Sequence, residues 1–349
     1  MTKFNTDFFE SCADDCDGPV ALTLRQRLLP VEGKDAVIFP PTYAEIGYNI
    51  DTLADGSEVA TIDSVGSQAN RMEPIFEKEP YASLVPQVKI AYGENKSVSI
   101  LQAGHRLGDA IIRSAGVGNG VGRDLANEAE EAFNHFLNKG SAEKIAKLAP
   151  TSLVFGVWDS RGTQAKQPRI VQSVIRAWEV NKLTRSAQFT PAIDYTKHVE
   201  FTKDEQKKLS ERGFVHVPST EEPGGIVVHG DILRTITVNL VALRRLEAED
   251  DCVSLKLRRY ILGLTLVAAT APFDGFLRQG CLLTSDPDTP SLWEAVKRDG
   301  TRDKGELDER TVLDFAEREA KNFGVGESLT VEFDKNQAEK DAKTKKVKD

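Results

Sequence analysis

No stretch of this 349-residue chain approaches the roughly 18 consecutive apolar residues that a membrane-crossing helix needs. The opening segment, Met1–Glu10, is acidic and lacks the apolar core of a signal peptide, so secretion is not expected and a cytoplasmic location is. Cysteine is scarce: Cys12, Cys16, Cys252 and Cys281 are the whole supply. The Cys12/Cys16 pair has no second Cys or His pair close by in sequence, which argues against a zinc site and leaves reduced, unpaired thiols as the expectation. The Gly-x-Ser-x-Gly elbow, the His-Glu-x-x-His pair and the kinase signatures are all missing. From these absences no catalytic residue, no metal and no cofactor is expected.

Positive charge is also in deficit, with a formal net charge of −9. Polyanion binders usually carry a basic footprint, so the whole-chain figure argues against nucleic acid. The deficit is uneven, however. Residues 1–20 hold five acids against one lysine, whereas residues 151–190 carry Arg161, Lys166, Arg169, Arg176, Lys182 and Arg185 against only Asp159 and Glu179. Charge sorted in this way leaves room for one basic face.

What is present is an ordinary globular composition, 40% hydrophobic and 28% charged, long enough for one large domain or two ordinary ones. Alternation predicts a strand over 20–31, and a Ser or Asp cap followed by Pro74 predicts a helix over Ser64–Phe76. Val85–Tyr92 and Ser97–Gln102 flank Gly93–Lys96 as a hairpin. Residues 105–149 read as helical, with Asp124–Lys139 closed by Gly140 and a shorter helix, Ala142–Leu148, capped by Ser141. Strands are expected at Ser152–Trp158, Ile170–Val180, Ile226–Leu240, Phe276–Leu283 and Ser328–Phe333. A polar excursion fills 188–225, Ser254–Ala271 is the most apolar helix, and 290–323 reads as helix-rich. The tail Lys335–Asp349, Lys-rich with almost nothing apolar, is expected to be disordered. The pattern suits an α+β sheet of the ferredoxin-like type, with two large inserts and no internal repeat.

Several segments could carry chemistry. Gly116–Gly122 followed by Arg123 offers backbone N–H groups for a phosphate, or simply a flexible link between helices. His105 and His229 stand in turn-like settings, but no partner for acid–base work is evident. In Asp63–Arg71, a helix start offers free N–H donors, Ser67 and Gln68 add neutral donors, and Arg71 adds a charged fork one turn later. Such a set grips a phosphate without reading a base; the bland alternative is a capped helix facing water. Phe155–Trp158, a basic loop with Arg161, Lys166 and Arg169, and Val171–Trp178 form a second constellation. There Trp and Arg interleave as stacking faces and phosphate contacts, unless both tryptophans belong to the core.

Taken together, Ser67-Gln68-Ala-Asn70-Arg71, Phe155-Gly156 with Val171-Gln172, Phe189–Asp194, and Ser254–Ala271 with Arg278–Cys281 resemble the repeated backbone subunit of CRISPR Cascade-type complexes in the RAMP superfamily. The similarity is to the group of subtype I-G, formerly I-U, and covers roughly residues 20–285. The resemblance implies an RRM-like palm (1–103, 151–187 and 226–334), a helical finger insertion (104–150) and a thumb insertion (188–225). It also implies copies stacked head to tail along a CRISPR guide RNA, in company with target DNA and other Cascade subunits. The RNA-binding candidates are then Ser67, Gln68, Asn70, Arg71, Arg123, Arg161, Lys166, Arg169 and Gln172. A thumb that is longer and more acidic, and the Lys-rich tail, depart from that pattern. The alternative is a metal-dependent ribonuclease of the same superfamily, which uses an Asp before the first helix to cut target RNA; Asp51, Asp55 or Asp63 could take that place.

Overall fold

The structure, a computed structural model, describes residues 2–116, 123–193, 195–214 and 217–343. The main sheet is built from β1 (Ala21–Pro30), β2 (Glu58–Asp63), β3 (Val171–Trp178), β4 (Ile232–Asn239), β5 (Cys281–Ser285), β6 (Trp293–Val296) and β7 (Arg302–Glu306). Across the sheet the order is β7, β6, β1, β4, β3, β2, with Thr2–Lys3 and Ile50–Thr52 as short outer strands. The outer edge of β1 is shared. Its first half pairs with β6, from Ala21↔Val296 to Leu24↔Trp293, and its second half pairs with β5, from Leu28↔Ser285 to Pro30↔Leu283.

Two of the principal helices connect strands of this sheet. In chain order the helices are α1 (Thr6–Asp14), α2 (Val65–Met72), α3 (Leu125–Lys139), α4 (Asp251–Thr270) and α5 (Glu309–Phe323). From β1 the chain runs through α2 to β3 and β4, then through α4 to β5. These four strands stand in the spatial order β5, β1, β4, β3, each neighbour antiparallel.

Side chains alternate across a strand, so one face of the sheet is set by every second residue. On β3 the buried set is Val171, Ser173, Ile175 and Ala177; on β4 it is Ile232, Arg234, Ile236 and Val238. The helices cover this face. Two buried clusters share it: one gathers Leu22, Leu24, Ile236 and Val238 with α1, α4 and α5, the other gathers Leu28, Ile175, Ile232, Leu277 and Leu283. Between them runs a polar seam of Gln26, Arg234, Ser173, Gln68 and Asp63, joined by hydrogen bonds.

Several elements differ from the sequence expectation. The segment Ser152–Trp158 is not a strand: Thr151–Phe155 is helical and fully buried, Gly156 turns the chain at φ +82°, and only Val157–Trp158 is extended. A run buried on every side carries no period, so strand and helix look alike in sequence. The stretch 290–323 holds β6 and β7 before its helix. The expected strand Ile226–Leu240 is two strands broken at Gly230, which lies so close to Trp178 that an added Cβ would sit 2.7 Å from its carbonyl oxygen. The excursion 188–225 belongs to a two-stranded ribbon, Val180–Phe189 with Val217–Val228, which also carries the helix Lys203–Glu211. In the tail expected to be disordered, Lys335–Lys343 is helical, and residues 344–349 lie outside the described residues. The α-helix expected to reach Phe76 ends at Met72 and continues as a tighter turn, Glu73–Glu77, around Pro74.

Candidate nucleic-acid interface

The start of α2 is organised around a carboxylate belonging to the chain itself. Asp63 ends β2 with no exposed surface, and Ser64 caps α2 by accepting from the Ser67 N–H at 3.2 Å. Four side chains donate to the Asp63 carboxylate: Ser67 Oγ at 2.8 Å, Gln68 Nε2 at 2.7 Å, Arg71 Nε at 3.0 Å and Arg278 Nη2 at 3.1 Å. The anion slot at this helix start is thus already filled. Gln68 is 2% exposed, and its Oε1 accepts from Ser173 Oγ at 2.7 Å, so the structure places it inside the seam. Arg71 also donates to the Leu277 carbonyl at 2.6 Å but keeps about a third of its side chain exposed; Asn70 is exposed. Two guanidinium groups on one carboxylate leave this corner with a net positive charge.

The second constellation sits on the short hairpin Val157–Trp158/Lys166–Gln167. Its loop is shaped by Asp159, which is nearly buried and accepts from the N–H groups of Gly162 and Thr163 at 3.1 and 2.6 Å. Arg161 and Lys166 are exposed, and Lys166 Nζ lies 5.5 Å from the Trp158 ring centroid. Trp158 and Trp178 are both exposed, at 54% and 38%, so neither is a core ring. Arg169 is exposed and anchored through Nε to the Phe155 carbonyl at 2.9 Å.

Residues 104–108 link the two constellations. Gly104 packs beside Asn70, Gly108 against Trp158, and Arg106 donates to the Gly156 carbonyl at 3.2 Å. Arg106 itself is buried in an ion pair with Glu73 at 2.7 Å. Gln172 stands apart from the Ser67–Arg71 group. It follows Val171 and precedes Ser173 on β3, so it projects from the opposite, exposed face of the sheet with Arg176 and Trp178. Arg123 is remote in another sense, since Glu128 and Glu327 already pair with it, and residues 117–122 of the glycine segment lie outside the described residues.

Residues 22–182 match the family described as CRISPR-associated protein GSU0053. The match supports a CRISPR-associated chain. It takes in β1 to β3 and both cationic constellations, and stops inside the first strand of the ribbon. No curated protein matches the chain.

Within the matched region the three acids considered for metal chemistry are placed differently. Asp63 is enclosed and saturated by donors, Asp51 is exposed on the outer strand, and Asp55 caps a turn by accepting from the Ser57 N–H and hydroxyl. Among the described residues no three His, Cys, Asp or Glu side chains converge as a metal-holding group. Of the two histidines in turns, His229 contacts the Asn181 side chain at 3.0 Å and His105 meets Asp109 through its backbone N–H.

The polar seam is what sequence reasoning missed. Arg234 is the charged residue in phase with Ile232, Ile236 and Val238 on an alternating strand, and that misplaced charge was the available signal. Arg278 carries no sequence signal beyond the family resemblance, because its partner Asp63 lies 215 positions earlier.

Proposed function

We propose that this chain is a backbone subunit of a CRISPR surveillance complex of the Cascade type, subtype I-G, which holds guide RNA by its phosphates and repeats head to tail along it. The family match over residues 22–182 carries this reading, because it spans Arg71 and the exposed group of Arg161, Lys166 and Arg169. The strand–helix–strand–strand–helix–strand order with β5, β1, β4 and β3 side by side supports an RRM-like palm. The helices within 104–150 support a finger, and the ribbon supports a thumb whose base starts at Val180 rather than at 188. Guide–target pairing then supplies sequence recognition, and the protein needs only shape and phosphate contacts with guide RNA and target DNA.

The test is to purify the full chain co-expressed with guide RNA and examine it by absorbance and negative-stain microscopy. Copurifying RNA in filaments is expected. Replacing Arg161 and Lys166 together with alanine should weaken binding of unrelated RNA sequences by a similar factor, roughly 10-fold. Both side chains are exposed, so folding is unaffected. Isolated particles free of nucleic acid, or unchanged affinity in the double variant, count against the proposal.

A further inference from the structure

Arg234 is 5% exposed in the middle of β4. Its neutral partners are distant: Nε donates to Ser173 Oγ at 3.3 Å and Nη1 to Gln26 Oε1 at 3.4 Å, while the Phe273 ring centroid lies 4.7 Å from the guanidinium carbon. Among the described residues no carboxylate lies within ion-pairing distance of it. The contrast is Arg106, equally buried, which sits on Glu73 at 2.7 Å. Burial with no acid to offset it pushes the Arg234 guanidinium down to about 10. A cation taken out of water without a countercharge is costly, and such groups concentrate where a ligand supplies that charge.

Arg234 also lines a pocket of about 340 Å³ together with Asn70, Arg71, Lys78, Phe273 and Asp274. Three of its thirteen lining residues, Arg71, Lys78 and Arg234, are cationic. The single carboxylate, Asp274, is exposed and already accepts from the Phe276 N–H at 3.0 Å. We propose that this pocket is a phosphate-binding site, with Arg234 as its buried anchoring charge and Asn70, Arg71 and Lys78 closing around the same oxyanion. A planar guanidinium presents paired N–H donors that match two phosphate oxygens, and the Phe273 face keeps water from one side of the contact. The site stands on this geometry; that the phosphate belongs to an RNA backbone rests on the guide-RNA reading.

The nucleic-acid-free full chain is tested by thermal unfolding in inorganic phosphate against sodium chloride of equal ionic strength. Wild type is expected to gain stability with phosphate by mass action, and Arg234→Met to lose that gain. Methionine replaces an uncompensated charge with a flexible apolar chain, so the variant is expected to fold. Should it fail to fold, Lys78→Ala, exposed at the rim, must shrink the phosphate response. A wild-type Tm indifferent to phosphate, or an unchanged response in these variants, overturns the site. In a second arm a labelled uridine homopolymer is titrated. Loss of roughly 10-fold in RNA affinity alongside the phosphate response supports a backbone phosphate as ligand. Loss of the phosphate response with RNA affinity intact supports a site for a free phosphate compound and overturns the RNA assignment of this pocket. Failure of wild type to bind RNA while phosphate still stabilises it overturns the guide-RNA reading and leaves the site standing.

Discussion

Asp63 shows how one side chain can organise a surface it never reaches. It has no exposed area, yet it orients Ser67, Gln68, Arg71 and Arg278. Asp63→Asn leaves two guanidinium groups without their countercharge. Both guanidinium groups keep part of their side chains exposed, so water offsets some of the about 3–5 kcal/mol that breaking a fully buried pair costs. A loss of about 1.5–3 kcal/mol is expected in urea unfolding of the unliganded chain. A loss below about 1 kcal/mol would show that Arg71 and Arg278 find other partners. Glu73 offers a different test. Burial pushes its carboxyl up from 4.5 to about 7, against the pull of Arg106. A group whose pKa rises on folding holds its proton more tightly when folded, so its contribution is complete below pH 4.5 and fades as pH rises through 7. Denaturant midpoints should therefore slope downward between about pH 5 and 7.5, and Glu73→Gln should flatten that slope. These pairs explain the limits of the sequence reading at this scale. The donors of Ser67-Gln68-x-x-Arg71 were visible as donors, but whether they serve a ligand or a neighbouring carboxylate depends on which way α2 packs.

Elements were legible where a period was present and obscure where burial erased it. The alternation of β1 and the cap-to-glycine span of α3 stood out, because one face of each meets water. Thr151–Phe155 did not, since all five side chains are buried. The strands β6 and β7 are only four and five residues long, too short to establish alternation, and β7 is charged at four of its five positions. Helix α4 is apolar for a packing reason that one position exposes. A Cβ added at Gly263 would lie 2.9 Å from the Ala316 Cα on α5, so the two backbones touch there. Gly263→Ala should lower stability by roughly 1–3 kcal/mol through that overlap, outweighing the ~1 kcal/mol that alanine gains in an exposed helix. A calorimetric Tm equal to or above wild type would refute the close approach.

At the scale of the molecule, a net charge of −9 coexists with an exposed group of Arg161, Lys166 and Arg169 and a cationic pocket at Arg71 and Arg234. Acids elsewhere, such as those near the amino terminus, leave this local field intact once salt screens beyond about 10 Å. RNA affinity should then fall steeply with salt, log K dropping by about 0.7 per phosphate contact for each decade of salt. A salt-independent affinity measured by fluorescence polarisation would point to stacking rather than phosphate contact. The basic segment was visible in the sequence as a local reversal of charge, but the separation of Gln172 from the Ser67–Arg71 group was not, because that depends on which face of β3 turns outward.

The shared edge of β1 has a consequence in time rather than in space. A ribosome releases residues 21–30 early, yet their neighbours are Ile232–Asn239 on one side and Leu283–Ser285 and Trp293–Val296 on the other. The first long strand to emerge must wait, with both rows of amides unpaired, for some 200 further residues. During that interval it is a template for mispairing with other nascent chains. Fragments cut before Ile232 inherit the same exposed edges permanently, so soluble expression depends on keeping the carboxy-terminal half attached to the strand that needs it.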